Sequence, residues 1–314
     1  MKYRTISAEG VLVSELGIGG NIFGYACNQM QSKEILSAAQ DYGVNFIDTA
    51  DVYSEGRSEE MIGEALSGNR ARWIIASKVG VRSNETGNGR GTRKAIFSRI
   101  EGSLRRLRTD YIDLYQLHHF DPETPVQETL EAMTALRNQG KIRHFGLSNF
   151  SVQQAASFIE DAQFSKLILP ATNQIYCNIL NPKLADDFSI VPVNGRPRLL
   201  VFGVLGRGVL SGKYRLGEVP KRDTRASMSV SVNSDLQPAV LGAVAHLSQI
   251  GLNAGITMSQ LAVAYVLRSS EIASALVGVR SIEQLAEIAN TFTLDLRPDL
   301  WKAVDQYLKD LGDI

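Results

Sequence analysis

Tyr111-Ile-Asp-Leu-Tyr-Gln-Leu-His118 reads as a buried parallel strand that ends on an imidazole. It is short and mainly apolar, which suits a strand covered on both faces by helices. Two earlier runs have the same form. Val44-Asn-Phe-Ile-Asp48 ends on a carboxylate and Trp73-Ile-Ile-Ala-Ser-Lys78 on an amine, and the phenol of Tyr53 lies just beyond the first. Stretches with helical periodicity separate the three. In a closed barrel of alternating strands and helices, the C-terminal edge of the strands is where active sites are built. Asp48, Tyr53, Lys78 and His118 are therefore expected to converge on one place.

The same alternation runs along the chain. Candidate strands are Glu15–Gly19, Val44–Asp48, Trp73–Lys78, Ile112–His118, His144–Ser148, Leu169–Gln174, Leu199–Gly203 and Ser274–Val277. Helical patterns cover Ser32–Tyr42, Ser58–Leu66, Thr92–Leu107, Val126–Asn138, Ser151–Ile159, Ser259–Arg268 and Ser281–Ala289. Ser32 and Ser281 suit N-caps, and Gly43 and Gly140 suit C-terminal stops. Tyr3–Val13 reads as an extra hairpin turned at Glu9-Gly10, and Pro298–Leu311 as a helical tail. The expected fold is α/β, a (β/α)8 TIM barrel with an N-terminal hairpin and a C-terminal helical tail, in one domain over residues 1–314. Two stretches depart from the pattern. Tyr214–Ser234 is polar and aperiodic, as a long loop on the active-site side would be, and Phe188–Arg198, with its two prolines, predicts a truncated or irregular sixth helix.

Bulk properties narrow the function classes. The 314 residues are 44% hydrophobic, enough for a large core, and a barrel of this kind commonly has about 250 residues before insertions. The 33 basic and 33 acidic residues cancel, so no electrostatic footprint argues for nucleic acid or an anionic membrane surface. Cys27 and Cys177 stand far apart and form no metal-binding spacing, and no third ligand accompanies the adjacent pair His118 and His119. No apolar run approaches the roughly 20 residues of a membrane span, so a cytoplasmic protein is expected, with no membrane partner. Gly17-Ile-Gly-Gly-Asn21 lacks the third glycine of a Rossmann fingerprint.

Five motifs together resemble the aldo-keto reductase family over nearly the whole chain. They are Gly43-Val-Asn-Phe-Ile-Asp-Thr-Ala-Asp-Val-Tyr53, Ala76-Ser-Lys78, Asp113-Leu-Tyr-Gln-Leu-His118, Gly146-Leu-Ser-Asn149 and Leu205-Gly-Arg-Gly208. The resemblance implies a barrel that reduces an aldehyde or ketone with NADP(H), with Asp48, Tyr53, Lys78 and His118 as its four catalytic positions. The chemistry can be stated independently. Hydride arriving at a carbonyl carbon leaves charge on oxygen, so the site must supply a proton and aimed dipoles. Tyr53 is the expected donor, with Lys78 lowering its pKa from about 10 and Asp48 holding the lysine charged. His118 is expected to orient or polarise the substrate oxygen.

Cofactor contacts follow from the same resemblance. Ser148, Asn149 and Gln174 match the positions that hold the nicotinamide carboxamide, and Gly20, Asn21 and Gly278 also fall in cofactor-contacting segments. Phe202 stands where the family usually stacks a tyrosine on the nicotinamide, and Gly203 and Val204 replace a usual Ser-Pro. Leu205, Gly206, Arg207 and Gly208 suit a loop whose backbone approaches a pyrophosphate, with Arg207 or Lys213 neutralising charge. Arg280 matches the contact to the adenosine 2'-phosphate, and Gln284 and Glu287 those to the adenosine; Ile288 replaces a common asparagine. The expected partner is a small carbonyl substrate, with the chain monomeric or weakly oligomeric. Two alternatives stay open: a nucleotide-binding regulatory subunit similar to potassium-channel β subunits, and an oxidoreductase acting on a sugar or nucleotide sugar.

Overall fold

The computed structural model describes residues 1–80, 91–188, 191, 195–219 and 236–312. After a hairpin of β1 (Tyr3–Thr5) and β2 (Leu12–Ser14), eight strands follow in chain order. They are β3 (Leu16–Gly19), β4 (Phe46–Asp48), β5 (Ile74–Val79), β6 (Ile112–Leu117), β7 (Ile142–Ser148), β8 (Pro170–Tyr176), β9 (Arg198–Phe202) and β10 (Ile272–Val277). Each pairs in parallel with the next, and β10 pairs with both β9 and β3, so the barrel closes. This is the expected (β/α)8 fold.

Helices α1 (Gln29–Asp41), α2 (Arg57–Ala65), α3 (Arg93–Leu107), α4 (Val126–Asn138), α5 (Val152–Ser165) and α6 (Lys183–Asp187) cover the first six strands. They are followed by α7 (Pro238–Asn253), α8 (Met258–Val266), α9 (Ile282–Ala289) and the tail α10 (Pro298–Leu311). Side-chain caps fix several starts: Thr92, Ser151, Thr257 and Ser281 each accept from a backbone N–H one turn on. The first helix corrects the sequence reading. Its cap is Asn28, in a capping box with Gln31, and Ser32 is buried inside the helix, donating to Asn28 O at 2.8 Å. Helix α7 carries no such signal and was not anticipated. Its start is marked only by Pro238 in the first turn, and its apolar residues run nearly all round it. The sixth helix is a short α6, while parts of 188–198 and 214–234 lie outside the described residues.

Strand parity divides the interior. Phe46, Ala76, Leu114 and Leu200 point into the barrel and pack with Ile6 and Val13 of the hairpin region. On the same parity, one step nearer the C-terminal edge, stand Asp48, Lys78 and Gln116. The opposite parity packs against the helices through Ile47, Ile75, Tyr115 and Leu147. The hairpin is tied down by Arg4. Its guanidinium bonds Glu15 Oε1 and the backbone carbonyls of Leu267, Ser269 and Ile272, each at 2.6 Å.

Arg4→Met keeps the aliphatic stem but leaves Glu15 and three carbonyls without their donor. A charge-assisted bond is worth about 1.5–3 kcal/mol, so the variant should lose about 2–3 kcal/mol net. Urea denaturation should show a lower midpoint with an unchanged m-value.

Candidate active site

Lys78, the penultimate residue of β5, is wholly buried inside the barrel. Its Nζ donates to Asp48 Oδ2 at 2.5 Å, to Thr49 O at 3.0 Å and to Tyr53 Oη at 3.1 Å. Asp48 is the last residue of β4 and pairs with Ala76, so its inward carboxylate meets the ammonium of Lys78 one step further along the neighbouring strand. Tyr53 is brought back over this pair by a tight turn. Ser54 (φ 50°) and Glu55 (φ 59°) are both left-handed, an arrangement that costs non-glycine residues free energy. Hydrogen bonds hold it: Ser54 Oγ donates to Phe23 O at 2.9 Å, and Ser58 Oγ to Gly20 O at 2.8 Å.

His118 follows β6 directly, its N–H bonded to Val79 O at 2.7 Å. Its ring meets Tyr53 edge-on at 5.8 Å between centroids and lies parallel to His119 at 5.1 Å. Asn149, left-handed at φ 60°, donates through Nδ2 to His118 O at 3.0 Å. Among the described residues, His118 Nδ1 has no hydrogen-bond partner. Burial, then the neighbouring Lys78 and His119, lower its pKa from 6.5 to about 2, so the imidazole is neutral.

The phenol differs from the sequence expectation. Lys78 does pull the Tyr53 pKa down, but burial is the larger effect and Asp48 and Asp51 add to it, so the net shift is upward. For Lys78 itself, burial lowers the pKa, and the Asp48 carboxylate with the Tyr53 oxygen outweighs it, leaving the ammonium more firmly protonated. The site thus holds a protonated phenol against a fixed cation.

A cavity of ≈ 450 Å³ opens above these groups. Asp48, Tyr53 and His118 line it, with Lys78 behind Tyr53 and Asp48. Of the positions expected to touch a cofactor, Asn21, Asn149, Gln174, Phe202, Gly203, Val204, Leu205, Arg207, Gly208, Lys213, Gly278, Arg280, Gln284 and Glu287 also line it. Gly20, Ser148 and Gly206 do not. A Cβ on Gly20 would lie 3.0 Å from Asp48 O and from Ser58 Oγ, so its Cα hydrogen faces packed protein. Ser148 is buried and its Oγ accepts from Asn149 Nδ2 at 3.1 Å.

Two residues that the sequence reading did not single out matter to the geometry. Tyr176 lines the cavity and meets Phe202 edge-on at 5.6 Å. A Cβ on Gly203 would fall 2.3 Å from the Tyr176 ring, so this ring position demands glycine there. The expected strand stopped at Gln174; carrying its alternation two residues further would have found Tyr176. The second is Gln116, whose Nε2 donates to Asp48 Oδ1 at 3.0 Å; its parity with His118 was readable.

Three cationic residues, Arg207, Lys213 and Arg280, also line the cavity. Arg207 sits at φ 54° between Gly206 (φ 50°) and Gly208 (φ 100°), in a tight turn closed by Gly206 N–H to Gly203 O and Gly208 N–H to Leu205 O, each at 2.7 Å. Arg280 precedes Ser281, the N-cap of α9, and its N–H donates to Gln284 Oε1 at 2.9 Å. Glu287 accepts from Thr257 Oγ1 at 2.6 Å. Among the described residues no three His, Cys, Asp or Glu side chains gather as a metal site would require, and no single helix is long and apolar enough to cross a membrane.

Known proteins resemble this chain over nearly its whole length. A probable voltage-gated potassium channel subunit beta of Arabidopsis thaliana is 32% identical over 309 residues, covering 95% of this chain and 92% of that protein. The aldo-keto reductase YhdN of Bacillus subtilis (strain 168) is 31% identical over 320 residues, covering 99% and 94%. Among solved structures, the glycerol dehydrogenase AKR11B4 from Gluconobacter oxydans superposes with a TM-score of 0.80 at 28% identity, over 97% of this chain and 94% of that one. Residues 15–309 match the sequence profile of the aldo/keto reductase family, and with a closed eight-stranded barrel carrying Asp48, Tyr53, Lys78 and His118 at its mouth, the chain belongs to that family.

Proposed function

We propose that the protein reduces an aldehyde or ketone to the alcohol at the expense of NADPH, with Tyr53 giving the proton to the carbonyl oxygen. The observation that carries this reading is the Tyr53 Oη to Lys78 Nζ contact of 3.1 Å beside a cavity that Arg207, Lys213 and Arg280 also line. The donor set fits a nicotinamide dinucleotide. Arg207 and Lys213 suit a pyrophosphate, and Arg280 suits a 2'-phosphate. Asn149 and Gln174 stand beside the tetrad to hold the carboxamide, and Phe202 presents an apolar face. When bound, the cofactor supplies the hydride.

The side chains do the rest. Because its pKa is raised, Tyr53 keeps its proton at neutral pH and is available as a donor. As the proton leaves, charge develops on the phenolic oxygen, and the pre-oriented Lys78 stabilises it most in the transition state. His118 is neutral, so it offers an N–H to the carbonyl oxygen without placing a second cation beside Lys78. Run backwards, the same groups would accept a proton from an alcohol, and the likeness to a glycerol dehydrogenase supports testing polyols as well as carbonyls.

A second reading is favoured by the similarity to potassium-channel β subunits from Arabidopsis thaliana and rice. There the cavity would bind the nucleotide and report its state to a partner. Steady turnover of model aldehydes with NADPH separates the two, since a binding subunit has no need of sustained turnover.

Tyr53→Phe should lower kcat by about 10² or more with cofactor affinity nearly unchanged, as measured by steady-state kinetics and fluorescence titration. Wild-type turnover in that variant would remove Tyr53 from the proton step.

The pH profile tests His118. With its pKa lowered to about 2, the imidazole does not titrate between pH 4 and 8, so kcat/KM should show no inflection at about 6.5, where a free histidine would protonate. An inflection there that disappears in His118→Asn would contradict the neutral role.

Cofactor choice tests Arg280. A charge-assisted bond to a 2'-phosphate that NADH lacks is worth about 1.5–3 kcal/mol, or about 10- to 150-fold in affinity. NADPH should bind more tightly than NADH, and Arg280→Ala should narrow the gap by about tenfold; equal wild-type affinities would place the discrimination elsewhere.

A further inference from the structure

Gln116 sits on the inward face of β6, two residues before His118, with no access to solvent and no part in the cavity wall. Its Nε2 donates to Asp48 Oδ1 at 3.0 Å. Gln174 Nε2, reaching in from β8, donates to the same oxygen at 2.7 Å and approaches Gln116 Oε1 at 3.4 Å. The other oxygen, Oδ2, takes the Lys78 ammonium at 2.5 Å. The amide orientations follow from the acceptor: turning either side chain over would set a carbonyl oxygen against a carboxylate that can only accept.

The barrel is built to admit this amide. A Cβ on Gly146 would lie 2.5 Å from Thr172 Oγ1 and 3.0 Å from Gln116 Cγ, so the glycine of β7 leaves the space that Gln116 fills. Below it the interior is apolar, with Leu114 on the same strand and Ala76 on the next. A buried polar side chain in such a place is costly unless bonded, and the bonds it makes are directed at Asp48. A carboxylate held at one oxygen only can rotate about χ2. Two amide donors on Oδ1 fix its plane, so that Oδ2 is presented to Lys78 and Lys78 to Tyr53. Gln174 also faces the cavity, whereas Gln116 lies behind Asp48 and Gln174 and lines no part of it.

We propose that Gln116 is a positioning residue for proton delivery, acting through Asp48 to fix the geometry in which Lys78 faces Tyr53. This rests on the reductase reading given above. Gln116→Met has nearly the same shape but no donor, and Gln116→Leu serves as a second variant should the first fold poorly. With 4-nitrobenzaldehyde and NADPH, kcat is expected to fall about tenfold or more, while the KM for aldehyde and the Kd for NADPH stay within about twofold. In an Asp48→Asn background the same substitution is expected to cost less than about threefold, because the charged group it acts through is gone. A wild-type kcat in both Gln116 variants, or an undiminished loss in the Asp48→Asn background, overturns the proposal.

A second readout needs no turnover. The tyrosinate absorbance of Tyr53, taken as the difference between each protein and its Tyr53→Phe counterpart, reports how closely Lys78 is held; Asp48, Asp51 and His118 are the other ionisable groups around that phenol. Loosening Lys78 removes its downward pull, so Gln116→Met is expected to raise the Tyr53 midpoint by about half a unit or more. Should the wild type reduce no carbonyl, the reductase reading fails, and an unmoved midpoint still overturns the role of Gln116 by itself.

Discussion

The ammonium of Lys78 has no contact with water, and the barrel is arranged around satisfying it. Its three acceptors come from a strand end, the residue after that strand, and a turn five residues on: Asp48, Thr49 and Tyr53. They meet Lys78 only because β4 and β5 pair with Asp48 opposite Ala76, which sets the lysine one step above its carboxylate. Removing one partner of such a buried pair typically costs about 3–5 kcal/mol, a large share of the roughly 5–15 kcal/mol that holds a domain folded. The contact that would prepare Tyr53 for chemistry is therefore also one the fold depends on. Stability and site geometry rest on a single strand register.

The same strand anchors a second buried charge on its other face. Ser77 points outward and donates to Glu59 Oε1 at 2.5 Å, while Arg106 of α3 donates to Glu59 Oε2 at 2.8 Å. Burial pushes the Glu59 carboxyl pKa up, with the bonds from Ser77 and Arg106 opposing it. Close packing accompanies this junction: a Cβ on Gly63 would lie 2.4 Å from Arg106 O, so α2 lies directly against the end of α3. Lys78 is thus fixed from within by the carboxylate it bonds and from without by a helix pair bolted to its neighbour.

The parts of this architecture legible in the sequence were those with a local pattern. The apolar runs ending at Asp48, Lys78 and His118 gave both the strands and the residues at their ends, because period and punctuation lie within a few positions of each other. Val126–Asn138 and Pro298–Leu311 were readable to the residue for the same reason. Helix α7 was not, since a segment apolar nearly all round has no polar face to reveal its period. Gly20 and Ser148 were placed at the cofactor by resemblance, yet their surroundings are set by Ser58 and Asn149, contacts that depend on how separate loops meet. The acidity of Tyr53 was misjudged because the pull of a lysine is visible in a motif and the depth of burial is not.

The hairpin of β1 and β2 carries a consequence for proton traffic. Ile6 and Val13 pack with Phe46, Leu114 and Leu200, and Arg4 ties the hairpin to the strand-start side of β10, so an apolar cluster closes the barrel at the end away from the cavity. If Tyr53 gives up its proton as proposed, the cavity side that it shares with His118 is where it would be recharged. Under the proposed function, substrate, cofactor and proton would share this cavity, and whatever occupies it would set when the donor can be recharged.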